Sequence, residues 1–327
     1  MPMLDREPNT LPSVGAPKHP RLQTLIASAR STQPVGVVYP CDALALQAAR
    51  AIADGGLARP VLVGPAAKII ATADTAGIQI TDLEIDAPVK FGSAAASPAE
   101  CADHAAQRAR DGKLTALMKG ALHTDELMGA VVRRVNGLRT ERRISHVFVF
   151  DLPRYHKFLA LADCVVNIAP GIPEKLDILT NAIHFLRTLD VTAPKVAVVT
   201  AVEVVQDSIP ATLDAAQLVK RAKAGQWPGA VVEGPFGFDN AFSAEAARIK
   251  GLQSLVAGDA DLMLMPDLNA GNMLYKSFVY VAGGECAGLV LGARVPIILN
   301  SRSAGPEERK ASAAIALLNA RKAARPK

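Results

Sequence analysis

The strongest constraint on this chain is its rhythm: short β-branched apolar runs alternate with helix-length amphipathic stretches from about Val35 to the C-terminus. Val35–Tyr39, Pro60–Gly64, Leu114–Met118, Ile144–Phe150, Asp163–Ile168, Lys195–Thr200, Ala230–Glu233, Leu262–Pro266 and Val295–Leu299 read as strands. Asp42–Leu57, Ala66–Ala76, Ser97–Asp111, Thr124–Val135, Glu174–Leu189, Thr212–Ala224, Ser243–Leu252, Gly271–Ala282 and Pro306–Lys322 read as helices. Asp42 is placed to cap its helix, and Ser97-Pro98-Ala99-Glu100 is a capping box with proline at the first helical position. Strands that alternate with helices of this length predict an α/β fold of parallel βαβ units, with helices on both faces of the sheet.

Composition narrows the class. Half of the 327 residues are apolar and a fifth are charged, the balance of a folded globular protein. This length predicts two domains. No apolar run approaches the roughly 18 residues of a membrane span, and the Pro-rich start lacks the apolar stretch of a signal peptide, so a cytoplasmic protein without a membrane partner is expected. The formal charge is +5, and Arg321, Lys322, Arg325 and Lys327 crowd the C-terminal end, which reads as solvated and frayed. The near-neutral remainder and an aromatic content of 4% argue against a nucleic-acid partner. Cys41, Cys101, Cys164 and Cys286 show no CxxC spacing and the histidines are scattered, so buried thiols and no metal site are expected.

In a parallel α/β sheet, ligands bind beyond the carboxyl ends of the strands. Four such junctions carry chemistry. Lys119-Gly120-Ala121-Leu122-His123-Thr124-Asp125 combines a cation, a sharp turn and a helix start capped by Thr124 or Asp125, which suits an anion. Glu233-Gly234-Pro235-Phe236-Gly237-Phe238-Asp239-Asn240 reads as a tight exposed turn. Pro266-Asp267-Leu268-Asn269-Ala270-Gly271-Asn272 places amide and acid groups on one loop, suited to a polar ligand such as the amides of a pantetheine arm or a phosphate. Asn300-Ser301-Arg302-Ser303, followed by Pro306-Glu307-Glu308-Arg309, sets an arginine beside a helix start, an oxyanion site with Glu308 as a candidate base. The first βα turn has no GxGxxG, and neither a P-loop nor a GxSxG elbow is present.

The segments LMKGALHT, NGLRTERRISHVFVFD, PKVAVVTAVEVV, VEGPFGFDNAFS, AGDADLMLMPDLNAGNMLYKS and VPIILNSRS resemble the phosphate acetyl/butyryltransferase family, in order, from about Pro20 to about Leu318. Met265–Ser277 and Pro296–Ser303 are the most specific blocks. The resemblance implies a reversible reaction in which a short-chain acyl-CoA and phosphate give an acyl phosphate and CoA, with no separate cofactor. It implies that Ser301 and Arg302 bind phosphate and stabilise developing charge. It also implies that Glu308, seven positions after that serine, helps deprotonate the CoA thiol. Lys119, Gly120, His123, Thr124, Asp267, Asn269, Asn272 and Lys276 are the expected phosphate- and CoA-binding residues. Direct displacement in a ternary complex is the simplest mechanism, since no cysteine is placed to carry the acyl group.

The resemblance further implies a two-domain, three-layer α/β/α fold like that of isocitrate and isopropylmalate dehydrogenases, with the active site in the interdomain cleft. A flexible N-terminal arm would span 1–20. The first domain would comprise 21–143 plus 302–327, and the second 144–301, which would carry a homodimer contact. The sequence departs from family habit at Ala304, at Gly129, where a cation is usual and Arg133 or Arg134 could substitute, and at His123. Two rival expectations are a non-catalytic binder of acyl-CoA or acyl phosphate, and a nicotinamide-dependent dehydrogenase of the same fold group.

Overall fold

The computed structural model describes residues 19–88, 95–300 and 304–323. Its elements run α1 (Pro20–Ser28), β1 (Pro34–Val38), α2 (Ala43–Asp54), β2 (Arg59–Val63), α3 (Ala66–Ala76), β3 (Glu84–Asp86), α4 (Pro98–Arg110), β4 (Ala116–Lys119) and α5 (Thr124–Val132). They continue with β5 (Ser145–Asp151), β6 (Leu159–Ala162), α6 (Ile172–Thr188), β7 (Lys195–Val199), α7 (Pro210–Lys223), β8 (Val231–Phe236), α8 (Phe238–Phe242) and α9 (Ala244–Ile249). The last are β9 (Leu262–Leu264), α10 (Leu268–Tyr280), β10 (Glu285–Leu291), β11 (Ile297–Ile298) and α11 (Pro306–Ala323). Asp42 caps α2 by accepting the Ala45 amide, and the Ser97–Glu100 capping box opens α4, as the local sequence predicts.

All the strands join one sheet of order β3-β2-β1-β4-β11-β10-β5-β6-β9-β7-β8. The prediction of uniformly parallel pairing needs correction. β3, β2, β1, β4 and β11 are mutually parallel, and so are β6, β9, β7 and β8. Between the two sets, β10 pairs antiparallel with both β11 and β5, and β5 antiparallel with β6. Three reversals leave the two parallel sets pointing in opposite directions. The carboxyl ends of β1, β4 and β11 therefore open on one edge of the sheet, and those of β6, β7, β8 and β9 on the other.

Alternating side chains on β5 and β10 feed both faces, as a pleated strand requires. Val147, Val149, Ala287, Leu289 and Leu291 pack with Leu22 and Leu25 of α1, with α6, and with the alanine-rich middle of α11. Phe148, Phe150 and Cys286 face the other way, toward Phe278 of α10, while Val290 joins α4 and α5 on that same side. Helix α11 contacts the sheet together with α1, α2 and α6, and it is buried over most of its length. Its small side chains suit that position, since Ala311, Ala313, Ala314 and Ala316 let it lie close against β10 on several sides at once.

Several expectations fail for local reasons. The strand predicted at Asp163–Ile168 lies earlier, as β6, and stops at Ala162. Asp163 diverts the chain there: its carboxylate accepts the amides of Val165 and Val166 (2.8 and 2.9 Å) and also that of His146 (2.9 Å). The stretch Glu233–Phe236, expected as a turn, belongs to β8; an edge strand tolerates Pro235 because its outer side needs no donor. Strands β3 and β10 and helices α1 and α8 are additions to the elements expected from the sequence. The charged C-terminal end is not frayed where described. Arg321 donates to the carbonyls of Ala29 and Arg30, and Lys322 pairs with Asp190, tying α11 to α1 and α6.

Helix α1 has no side-chain cap of its own. Asp151, at the end of β5, takes that role from a distance: its Oδ2 accepts the amides of Arg21 (2.9 Å) and Leu22 (3.1 Å), and Oδ1 lies 3.3 Å from the Arg21 guanidinium. Asp151→Ala is expected to cost about 1–3 kcal/mol. Hydrogen exchange should then localise the loss to α1, and protection unchanged there would refute the capping role.

Candidate active site

The parallel ends of β1, β4 and β11 gather one group of polar side chains. Asp42, Leu44 and Ala45 at the start of α2, Lys119, Gly120 and Ala121 after β4, Asn300 after β11 and Arg309 in α11 line one small cavity of about 30 Å³. Gly120 is required by contact. A Cβ there would lie 2.4 Å from the Val38 carbonyl oxygen and 2.7 Å from that of Tyr39. Tyr39 itself takes a left-handed backbone (φ 52°), uncommon for a bulky residue, and its hydroxyl accepts from Lys68 Nζ (2.8 Å). Lys119 Nζ donates to the carbonyls of Gly120 and Leu122 (3.2 and 3.3 Å), which folds the ammonium over the βα turn.

Glu308 stands behind the cavity wall, bonded to Asn300 and next to Arg309 in sequence. It is 7% exposed, and its Oε1 accepts from Asn300 Nδ2 (3.3 Å). Burial pushes its carboxyl up to about 7, and the Glu285 charge adds to that, while the Asn300 hydrogen bond and Arg309 pull it down. Arg309 is equally buried; desolvation draws its pKa below the usual guanidinium value, and Nε donates to the Ala304 carbonyl (3.3 Å). On its far side Glu308 acts electrostatically on Tyr275 of α10, whose phenol burial pushes upward. Tyr275 stacks on Phe148 at 4.1 Å, so Glu308 stands between the strand ends of the first half and an aromatic wall of the second. Cys286 feels the same charge, and Cys164 feels that of Asp163. Burial raises both far above the ordinary thiol range, so neither is a thiolate near neutral pH.

The sequence candidates do not all converge. Lys119, Gly120 and Glu308 meet at this edge. His123 and Thr124 lie close by at the start of α5, where His123 is the N-cap and Thr124 the first helical residue; Glu126 reaches back to the His123 amide (2.7 Å). Asp267, Asn269 and Asn272 stand at the opposite edge of the sheet, because β9 runs against β11. Asp267 caps α10 by accepting the Ala270 amide (3.0 Å), Asn269 is exposed, and Asn272 donates to the Cys164 carbonyl (3.2 Å). Lys276 is exposed on α10. Ser301 and Arg302 lie outside the described residues. Arg133, one candidate replacement for a cation at Gly129, is paired with Asp103 of α4 at 2.8 Å. Among the described residues no group of three or more potential metal ligands occurs. No helix among them is long and apolar enough to cross a membrane.

Sequence reasoning named Asn300 and Arg309 only as flanks of the Ser-Arg motif and Asp42 only as a cap. It gave no role to Tyr275 or His146. The signal for Arg309 was its place in the first turns of α11, beside Glu308. His146 offered none: it is fully buried, both ring nitrogens lack partners among the described residues, and burial lowers its pKa to about 4 against the pull of Asp163.

Fold and site together describe an α/β protein whose strand ends collect cations and a buried acid suited to anionic substrates. The family model described as "Phosphate acetyl/butaryl transferase" matches residues 89–317. A phosphate acetyltransferase of Rhizobium meliloti is 46% identical over 299 residues, covering 90% of this chain and 92% of that protein. A phosphate butyryltransferase of Clostridium acetobutylicum is 36% identical over 284 residues, covering 87% and 92%. The chain belongs to the phosphate acetyl/butyryl transferase family. Its fold matches that of a branched-chain phosphotransacylase from Enterococcus faecalis (TM-score 0.77, 24% identity, 88% of this chain and 99% of that one). A 4-hydroxythreonine-4-phosphate dehydrogenase from Klebsiella pneumoniae shares the fold more loosely (TM-score 0.56, 14% identity, 89% and 100%).

The Glu308 carboxyl moves from an ordinary 4.5 to about 7 on folding. Below 4.5 both folded and unfolded states are protonated and the group costs nothing. As pH rises from 4.5 to 7 only the unfolded chain releases the proton, so folded stability falls and stays lowered above 7. Relative to Glu308→Gln, the wild type is expected to lose on the order of 3 kcal/mol across that window. Urea melts at acid and alkaline pH would measure this, and parallel profiles would rule out a buried carboxyl.

Proposed function

We propose that this chain is a phosphate acyltransferase that moves a short acyl group, acetyl or butyryl, between CoA and inorganic phosphate. Membership of the family supports the reaction class. The observation that carries the chemistry is Glu308, a buried carboxyl pushed up to about 7 and bonded to Asn300, which lines the cavity together with Lys119 and Arg309. A free thiol has a pKa of about 8.5, so near neutral pH a base raises the reactive thiolate fraction.

In the acyl-CoA-forming direction, Glu308 takes the thiol proton. The thiolate sulfur adds to the carbonyl carbon of the acyl phosphate, and the carbonyl electrons move to oxygen. The tetrahedral intermediate then collapses, the carbon–oxygen bond to phosphate breaks, and phosphate departs with the bonding pair. Cations fixed at the strand ends offset charge on the phosphate throughout. Ser301 and Arg302 are the proposed ligands of that phosphate. The reverse reaction returns the proton from Glu308 to the leaving sulfur. With Cys164 and Cys286 held as thiols, direct transfer between the two substrates is the simplest path.

We assign residues 21–143 plus 302–327 to one domain and 144–301 to a second, with substrates in the cleft between them and two copies forming a cytoplasmic homodimer. The division separates β1–β4 from the oppositely directed β6–β9, while β11, within 144–301, pairs back onto β4. Lys276, on the helix that returns over the sheet from the opposite edge, would then approach CoA from the second domain. The likeness to a phosphate-substrate dehydrogenase is one of fold and brings no argument for hydride transfer.

Thioester formation from acetyl phosphate or butyryl phosphate and CoA is expected to rise with pH through about 7. Glu308→Gln should lower the rate at least about tenfold and flatten that limb; a full rate with an intact limb would remove the base role. Arg302→Ala is expected to abolish most turnover while leaving the melting transition in place, and loss of both would mark the residue as structural.

A further inference from the structure

The cavity at the strand ends combines two cations with two hydrogen-bond acceptors. Lys119 and Arg309 bring the positive charge. Asn300 is 6% exposed; its Nδ2 donates to Glu308 Oε1 and to Ser312 Oγ (3.3 and 3.1 Å). Its Oδ1 is buried and has no hydrogen-bond partner among the described residues, which is costly unless something supplies a donor. Asp42 uses Oδ1 to accept the Ala45 amide (2.7 Å), leaving Oδ2 as a further acceptor on the same wall.

This donor set separates two similar anions. Sulfate at neutral pH is fully ionised and offers acceptors only, so it would meet the Asp42 carboxylate and Asn300 Oδ1 with no proton to share. Inorganic phosphate near neutral pH keeps at least one P–O–H. We propose that the cavity is a subsite for protonated inorganic phosphate and selects it over sulfate. Lys119 and Arg309 balance the charge, while Asn300 Oδ1 and the Asp42 carboxylate accept the P–O–H proton. The volume of about 30 Å³ admits about two water-sized groups, so the protonated edge enters and the other oxygens stay outside. The proposal rests on the reading of the chain as a phosphate acyltransferase and adds Arg309, Asn300 and Asp42 to its phosphate-binding residues.

The test is calorimetric titration of the full chain, near neutral pH, with inorganic phosphate and separately with sulfate. Phosphate is expected to bind at least about tenfold more tightly. Asp42→Asn keeps a good helix cap and adds a donor, so it should bring the two affinities together. Arg309→Met should weaken both anions by about tenfold or more, and Arg309→Lys should recover part of that. Equal wild-type affinities, no phosphate binding, an unchanged ratio in Asp42→Asn, or an unchanged phosphate affinity in Arg309→Met would each overturn the subsite. Should Arg309→Met fail to fold, Arg309→Lys and Asp42→Asn decide the matter. Phosphate-dependent CoA release that persists without the selectivity would retain the acyltransferase reading and remove the subsite. Selective binding without release from any acyl-CoA would do the reverse.

Discussion

The antiparallel ladder between β5 and β10, running from Ser145 opposite Leu291 to Asp151 opposite Glu285, sets the geometry of everything around it. A uniformly parallel sheet would open all its ligand-binding loops on one edge. Here the central ladder reverses direction, so the two parallel sets open on opposite edges. Helix α10 starts at the far edge and returns over the sheet, which brings Tyr275 within electrostatic reach of Glu308. Helix α11 crosses the other face and delivers Glu308 and Arg309 to the ends of β1, β4 and β11. The site is therefore made of elements from both ends of the chain, and neither half carries it alone.

At that site burial and charge oppose each other. Glu308 and Arg309 are adjacent in sequence and both nearly excluded from solvent, so each loses hydration on folding. The carboxyl answers by holding its proton up to about 7, the range in which a group can both take and return a proton. The arginine stays charged, and its field, with that of Lys119, falls on a cavity whose other walls accept hydrogen bonds. A polar pocket of this kind is unfavourable when empty and favourable only around a matching ion. That is the reverse of the cysteines, whose burial makes them inert.

Much of the fold was legible locally. Asp42 and the Ser97–Glu100 box mark helix starts because a side-chain oxygen facing the first turn works the same way in any surroundings. Lys195–Thr200 and Val35–Tyr39 read as strands because both faces are covered, which leaves continuous apolar runs, and the strands found are Lys195–Val199 and Pro34–Val38. β10 was not legible: Glu285-Cys286-Ala287-Gly288 is a weak strand former, held by pairing with β5 and by the bond from the Gly288 amide to Ser312 Oγ. Asp163 was missed as a strand terminator because its effect depends on collecting amides from two elements. Asp267 and Asn272 read as ligand groups, and the described contacts give them a cap and a bond to the Cys164 carbonyl.

The sequence by itself determined the fold class, most element positions and, through LMKGALHT and VPIILNSRS, the family and its anionic substrates. Those depend on short-range periodicity, capping and motif identity, which are properties of neighbouring residues. Tertiary structure alone decided the direction of each strand set, which strand ends share an edge, and that Asp42, Lys119, Asn300 and Arg309 surround one cavity. Strand direction is fixed by pairing between segments more than a hundred residues apart, as Ser145 with Leu291. The pKa of Glu308 is likewise a property of what encloses it, so neither could be read along the chain.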